Sequence, residues 1–149
     1  MARRPTESRG AAMRATYRDG PTCPTATHDV HENLKNRNHA IKEYGYGPMN
    51  PQRPNEAFWQ RLADLWDVTP REAKKSRCGN CAAFIQTPKM MECIVNGMTG
   101  DEDFEKPDAE SVVDAANLGY CQLFHFKCAG DRTCDAWLVG GPITKEGRG

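Results

Sequence analysis

No run of 18 consecutive apolar residues occurs in the 149 residues of this chain, which leaves no candidate for a membrane-crossing helix. Apolar residues are scarce overall: 38% are hydrophobic and the mean hydropathy is −0.74. A core drawn from so few apolar groups is thin for this length, so a metal or a partner is expected to supply part of the stability. Net charge is also absent, with 20 Lys and Arg against 20 Asp and Glu. The balance hides a division. Residues 1–77 hold 14 basic and 9 acidic side chains, and residues 78–149 hold 6 and 11. Five Arg and one Glu fall in the first 18 residues, a basic segment suited to an acidic protein surface, with nucleic acid as a less favoured partner. The pair Arg3-Arg4 lacks the apolar stretch that an export signal needs. A reducing cytosol is therefore the expected setting, where clustered cysteines point to metal or redox chemistry more than to disulfides. No Ser/His/Asp set, phosphate loop or paired-carboxylate motif stands out, so no enzyme is expected.

Residues 1–54 read as an extended polar arm. Pro5, Pro21, Pro24, Pro48, Pro51 and Pro54 punctuate them, and no apolar period is sustained beyond a short helix near Val30–Glu43 that Gly45-Tyr46-Gly47 would end. His28, His31 and His39 lie in this arm, but their spacings do not bring all three to one helical face. Residues 55–77 differ. Phe58, Trp59, Leu62, Leu65 and Trp66 recur at helical spacing behind Asn55, a natural cap. This stripe reads as core, or more sharply as a partner-binding face carried by Phe58, Trp59 and Trp66. Thr69-Pro70-Arg71-Glu72 opens a second helix that leads into Cys78. Within 78–143, Thr87-Pro88 opens a helix through Ile94 that should stop at Gly97. An acidic loop, Asp101 to Glu105, precedes a helix over Pro107–Asn117. Phe124 and Phe126 alternate with His125 and Lys127 as in a short strand. Residues 144–149 form a tail. The expected fold is small and α+β, irregular, with short helices and little strand.

Six of the seven cysteines lie in the last 72 residues. Cys78-Gly79-Asn80-Cys81 is one C-x-x-C, and Cys121-Gln122-Leu123-Phe124 and Cys134-Asp135-Ala136-Trp137 each pair a cysteine with an aromatic. A C-x-x-C turn sets two sulfurs on one edge, and two later cysteines complete four-thiolate ligation of a [4Fe–4S] cluster. A zinc site is a poorer match, since a zinc ribbon wants two C-x-x-C knuckles. The preferred ligands are Cys78, Cys81, Cys121 and Cys134. Small residues beside them leave backbone N–H groups free to reach sulfur, and Phe84, Tyr120, Phe124, Phe126 and Trp137 are candidates for a shell against water.

This pattern resembles the high-potential iron–sulfur proteins over about residues 76–139. There a C-x-x-C is followed by a Cys with a Leu-Phe pair and then by a Cys with a Trp. The resemblance implies a four-iron cluster and one-electron transfer. Here 39 residues separate Cys81 from Cys121, and Cys93 lies among them. Gly119-Tyr120-Cys121 is also similar to the family's last ligand site, which opens a rival set of Cys78, Cys81, Cys93 and Cys121. In the preferred set Cys93 and Cys128 read as small buried hydrophobes, or as a disulfide pair, and Cys23 has no partner in sight.

The whole layout over residues 45–143 looks like small proteins of tailed bacteriophages: a Phe-Trp helix, a Thr-Pro-x-Glu cap, Arg77-Cys78-Gly79-Asn80-Cys81, then Thr133-Cys134-Asp135-Ala136-Trp137 and Gly140-Gly141-Pro142. That resemblance implies a virion component, assembled in the host cytoplasm, with the cluster as a fold staple and the arm binding neighbouring subunits. A soluble one-electron carrier is the alternative, and a zinc-binding structural module the next.

Overall fold

Alternation in three short strands places the cysteine motifs. The structure, a computed structural model, describes residues 7–47, 54–101 and 105–146. Arg3, Arg4, Pro48 and most of the acidic loop after Asp101 lie outside them. Seven helices and one three-stranded antiparallel sheet are present among the described residues, an α+β fold. In chain order the helices are α1 (Glu7–Thr16), α2 (Thr25–His28), α3 (Val30–Tyr44), α4 (Glu56–Trp66), α5 (Pro70–Ala73), α6 (Pro88–Asp101) and α7 (Lys106–Ala116), with a 3-10 turn at Cys78–Asn80. The strands are β1 (Phe84–Ile85), β2 (Leu118–Cys121) and β3 (Phe126–Ala129), paired in that order.

The register puts Phe84 opposite Cys121 and Cys121 opposite Phe126, while Gly119 faces Cys128. Directly paired residues share a face of the sheet and alternate residues along a strand return to it. One face therefore carries Phe84, Cys121, Phe126 and Cys128. It packs into a core with Trp59, Leu62, Trp66, Trp137 and Leu138. The other face carries Ile85, Tyr120 and Leu118, against Met90 and Ile94 of α6 and Val113 of α7. Gly119 is required between them: a Cβ there would stand 2.5 Å from the Phe84 ring.

Local chemistry explains most helix boundaries. Asp29 accepts from Glu32 N at the start of α3, and Gly45 closes it with φ 60°, a conformation that costs glycine nothing. Thr69 accepts from Glu72 N behind Pro70, as its motif predicts. Thr87 Oγ1 accepts from Met90 N at 3.1 Å and starts α6. The expected stop of α6 at Gly97 does not occur; the helix runs to Asp101. Gly97 instead lets another chain segment in, since a Cβ there would fall 1.6 Å from the Thr27 carbonyl oxygen.

Residues 7–47, the described part of the arm expected over 1–54, are not extended. They fold into α1, α2 and α3, all packed on the C-terminal half. Gly10 of α1 lies so close to the Val139 carbonyl oxygen that a Cβ would meet it at 1.8 Å. Arg14 Nη1 donates to the carbonyls of Gly141 and Pro142, at 3.0 and 2.8 Å. Asp19 Oδ1 accepts from Thr87 Oγ1 at 2.7 Å, and Asp19 N donates to Glu146 Oε1 at 2.9 Å. Cys23 and Cys93 form a disulfide that ties the start of α2 to α6. Cys23 thus has a partner, and Cys93 pairs with it and not with Cys128. Asn33 Oδ1 of α3 accepts from Lys127 N at 2.7 Å, and Tyr46 Oη, just past the helix, accepts from Ala129 N at 2.9 Å. These bonds satisfy the outer edge of β3, which would otherwise offer unpaired backbone groups to another chain. The misreading has a physical source: these helices lack a strong apolar face, and their stability comes from close backbone approach and polar tethers that only the folded chain creates.

Candidate metal centre: a cage of five thiols

Five cysteines from four separate places converge on one pocket. Cys78 and Cys81 come from the 3-10 turn, Cys121 from the end of β2, Cys128 from β3, and Cys134 from the loop after it. They line it with Ala83, Phe84, Leu123, Ala136 and Trp137. All five are free thiols, and all but the partly exposed Cys121 are buried. The preferred four are therefore brought together. The rival set is not, because Cys93 is held in its disulfide.

The turn that presents Cys78 and Cys81 is built by Asn80. Its Oδ1 accepts from Arg77 N at 2.9 Å and from Trp137 Nε1 at 3.0 Å, and its Nδ2 donates to the Lys75 carbonyl at 2.6 Å. Trp137 Nε1 also donates to the Arg77 carbonyl at 2.9 Å. The tryptophan of the C-x-x-W motif thus locks the Cys134 loop onto the C-x-x-C turn. Cys78 N donates to the Arg132 carbonyl and Gly79 N to the Gly130 carbonyl, so the two ligand-bearing turns are zipped by backbone. Arg77 stacks over Trp59 at 4.7 Å, and Trp66 Nε1 donates to the Asp135 carbonyl at 3.3 Å. Trp59 and Trp66 are each only 2% exposed. They are walls of this core, not the partner-binding face that their spacing allowed; Phe58 is half-buried beside them.

Backbone N–H groups are aimed at the sulfurs. Cys81 Sγ accepts from Ala83 N and from Leu138 N, each at 3.4 Å. Cys121 Sγ accepts from Phe124 N at 3.4 Å and from Leu123 N. Cys134 accepts from Ala136 N. Burial pushes the Cys81 thiol up to about 12, against the pull of its two N–H donors. It also raises Cys134, and it raises Cys128 well above the ordinary range. Cys121 is lowered, first by the hydrogen bond from Cys128 and then by its N–H donors, against burial. An apolar pocket that disfavours thiolates at Cys81, Cys128 and Cys134 while offering N–H donors to Cys81, Cys121 and Cys134 suits sulfurs whose charge a bound metal would neutralise.

Among the described residues, no group of three His, Cys, Asp or Glu is arranged to hold a metal ion. A lone ion needs its ligands around one point, whereas a four-iron cluster takes its four thiolates on different irons. Of the expected shell, Phe84 and Trp137 line the pocket. Phe126, 1% exposed, belongs to the same core. Phe124 supplies its N–H while its ring stacks on Tyr44 at 4.4 Å. Tyr120 lies on the opposite face of the sheet, because it is one residue out of phase with Cys121. His125 sits in the turn between β2 and β3 at φ 58°. Sequence reasoning missed Cys128 as a member of the cage. The available signal was its alternation with Phe126, which marks both as inward-facing. No helix among the described residues is long and apolar enough to cross a membrane. No family model, curated protein or solved structure matches this chain.

Proposed function

We propose that the protein binds one [4Fe–4S] cluster through Cys78, Cys81, Cys121 and Cys134, and that the cluster acts chiefly as a fold staple. The observation that carries this reading is the convergence of these thiols in a buried pocket with backbone N–H groups directed at three of them. When bound, the group supplies four metal–thiolate links and a one-electron centre. The chain's part is to bring the 3-10 turn, the end of β2 and the Cys134 loop together and to keep water away with Phe84 and Trp137. Anaerobically purified protein should be brown and contain four irons and four acid-labile sulfides per chain. Zinc with no labile sulfide would contradict the proposal.

The layout resemblance supports service as a virion component of a tailed bacteriophage, now as a folded unit and not through an arm. A second reading, a soluble one-electron carrier, is favoured by one observation: residues 7–47 pack on their own C-terminal half through Arg14, Asp19, Asn33 and Tyr46. A self-contained monomer with a reversible redox couple would decide for the carrier. Incorporation into particles by a chain with no reversible couple would decide for the virion component.

A further inference from the structure

Tyr120 and His125 take no part in the cage, and they come together beside a second opening in the molecule, their rings 6.3 Å apart. The end of β2, the turn after it, the start of α6 and the segment between α1 and α2 enclose a cleft of about 370 Å³. Tyr120 lines this cleft and is 3% exposed, yet its hydroxyl has no hydrogen-bond partner among the described residues. A buried phenol ordinarily finds one. Arg18, Thr22, Gln122 and His125 line the cleft with it. Arg18 is pinned by one nitrogen, since Nη1 donates to the Tyr17 carbonyl at 2.8 Å, which leaves Nε and Nη2 as donors. The turn that carries His125 is held as well: its N donates to the Cys121 carbonyl at 2.8 Å, and its carbonyl accepts from Asn36 Nδ2 at 2.7 Å. Among the described residues, no Asp or Glu lines the cleft. The carboxylates nearby are engaged elsewhere. Asp19 accepts from Tyr17 Oη and Thr87 Oγ1, and Glu32 pairs with Lys35 and accepts from Asn36.

We propose that this cleft binds a small organic anion, its phosphate or carboxylate group held by Arg18, His125 and the Tyr120 hydroxyl and its carbon body lying against Pro24 and Met90. The polar lining is rich in donors and poor in charge of the same sign as the ligand, and the Arg18 guanidinium fits the oxygens of either anion. Pro24 and Met90 supply the apolar part of the wall, and the volume is that of a site for a small molecule. Tyr120 lies on the face of the sheet opposite the cage, so the inference is independent of what the thiols bind.

The test is calorimetric titration of the full-length protein with glucose 6-phosphate, citrate, inorganic phosphate and uncharged glucose, as wild type, Tyr120→Phe and Arg18→Ala. Glucose 6-phosphate or citrate should bind saturably at one site per chain, and glucose should not. Preference for the sugar phosphate would assign the anion as a phosphate, and preference for citrate as a carboxylate. Tyr120→Phe, which keeps the ring, should weaken that binding about tenfold, as expected for one hydrogen bond to a charged group, and Arg18→Ala should weaken it at least as much. Without anion, the Tyr120→Phe protein should melt at or above the wild-type midpoint, because the hydroxyl has no partner within the fold to lose. A lower midpoint would give the hydroxyl a structural role and overturn the inference. So would the lack of saturable binding by either organic anion, equal binding of glucose, or affinities unchanged in both variants. Inorganic phosphate binding as tightly as the sugar phosphate would leave the apolar wall without a role and overturn the ligand class.

Discussion

Asn80 sits at the junction of the two ligand-bearing turns, and three hydrogen bonds from one short side chain hold them together. Asn80→Ala removes all three while leaving Trp137 one acceptor, the Arg77 carbonyl. The exposed site limits the loss, so a cost of about 1–3 kcal/mol is expected. It should be read as a lower thermal midpoint with Trp137 fluorescence shifted to the red. Gly119→Ala tests the sheet from the opposite direction. Its added methyl would overlap the Phe84 ring, 2.5 Å from the nearest ring carbon, at a cost of about 1–3 kcal/mol by overpacking. A melt within error of wild type would mean that β1 and β2 do not approach as described. At this scale the sequence was informative where chemistry is local: the cap at Thr69, the glycine at Gly45, the ligand motifs. It was silent on Gly10 and pointed to a helix stop at Gly97, because the meaning of both depends on carbonyls from remote segments.

Among the elements, α6 makes the clearest separation between structural and ligand cysteines. Cys93 lies on it, bonded to Cys23 across 70 residues of chain, and a loop of that length makes a disulfide worth about 2–5 kcal/mol. Cys93→Ser should therefore lower the thermal midpoint and keep the iron, whereas Cys134→Ser should lose the iron. The reverse outcome, iron lost with Cys93 and kept without Cys134, would restore the rival ligand set. Helix α4 was legible from its apolar stripe, and α7 was expected over Pro107–Asn117, close to its observed range Lys106–Ala116. Helices α1 and α2 were not. Ala, Arg and Thr give them no apolar face, and what fixes them is Arg14 on the Gly141 and Pro142 carbonyls and the disulfide. The two-residue β1 was invisible for another reason: it exists only through its pairing with β2, and so small a piece has no period to detect.

For the whole molecule, the decisive relation is between the N-terminal third and the cage. Asn33 and Tyr46 cover the edge of β3, the strand that carries Cys128. Gly47 exchanges backbone hydrogen bonds with Thr133, and Asp135 N donates to the Tyr44 carbonyl, on either side of Cys134. Deleting residues 2–44 removes Asn33 and Tyr44 and the helix that leads into Tyr46 and Gly47, so it should destabilise the cluster-bearing half and uncover part of the β3 edge, seen as a lower yield of iron-loaded monomer and a greater tendency to self-associate. An intact, monomeric, iron-loaded fragment would show the packing to be dispensable. Removing iron from the full chain should melt residues 78–139 in one cooperative step, with the covering α3 loosening along with them. The central claim, that four thiolates from distant parts of the chain close this fold on one cluster, is tested most directly by native mass spectrometry of the intact protein under anaerobic conditions. The account predicts a single species heavier than the 16.6 kDa chain by four irons and four sulfides, lost in Cys134→Ser and kept in Cys93→Ser. A species heavier by one zinc ion, or a folded chain with no added mass, would contradict it.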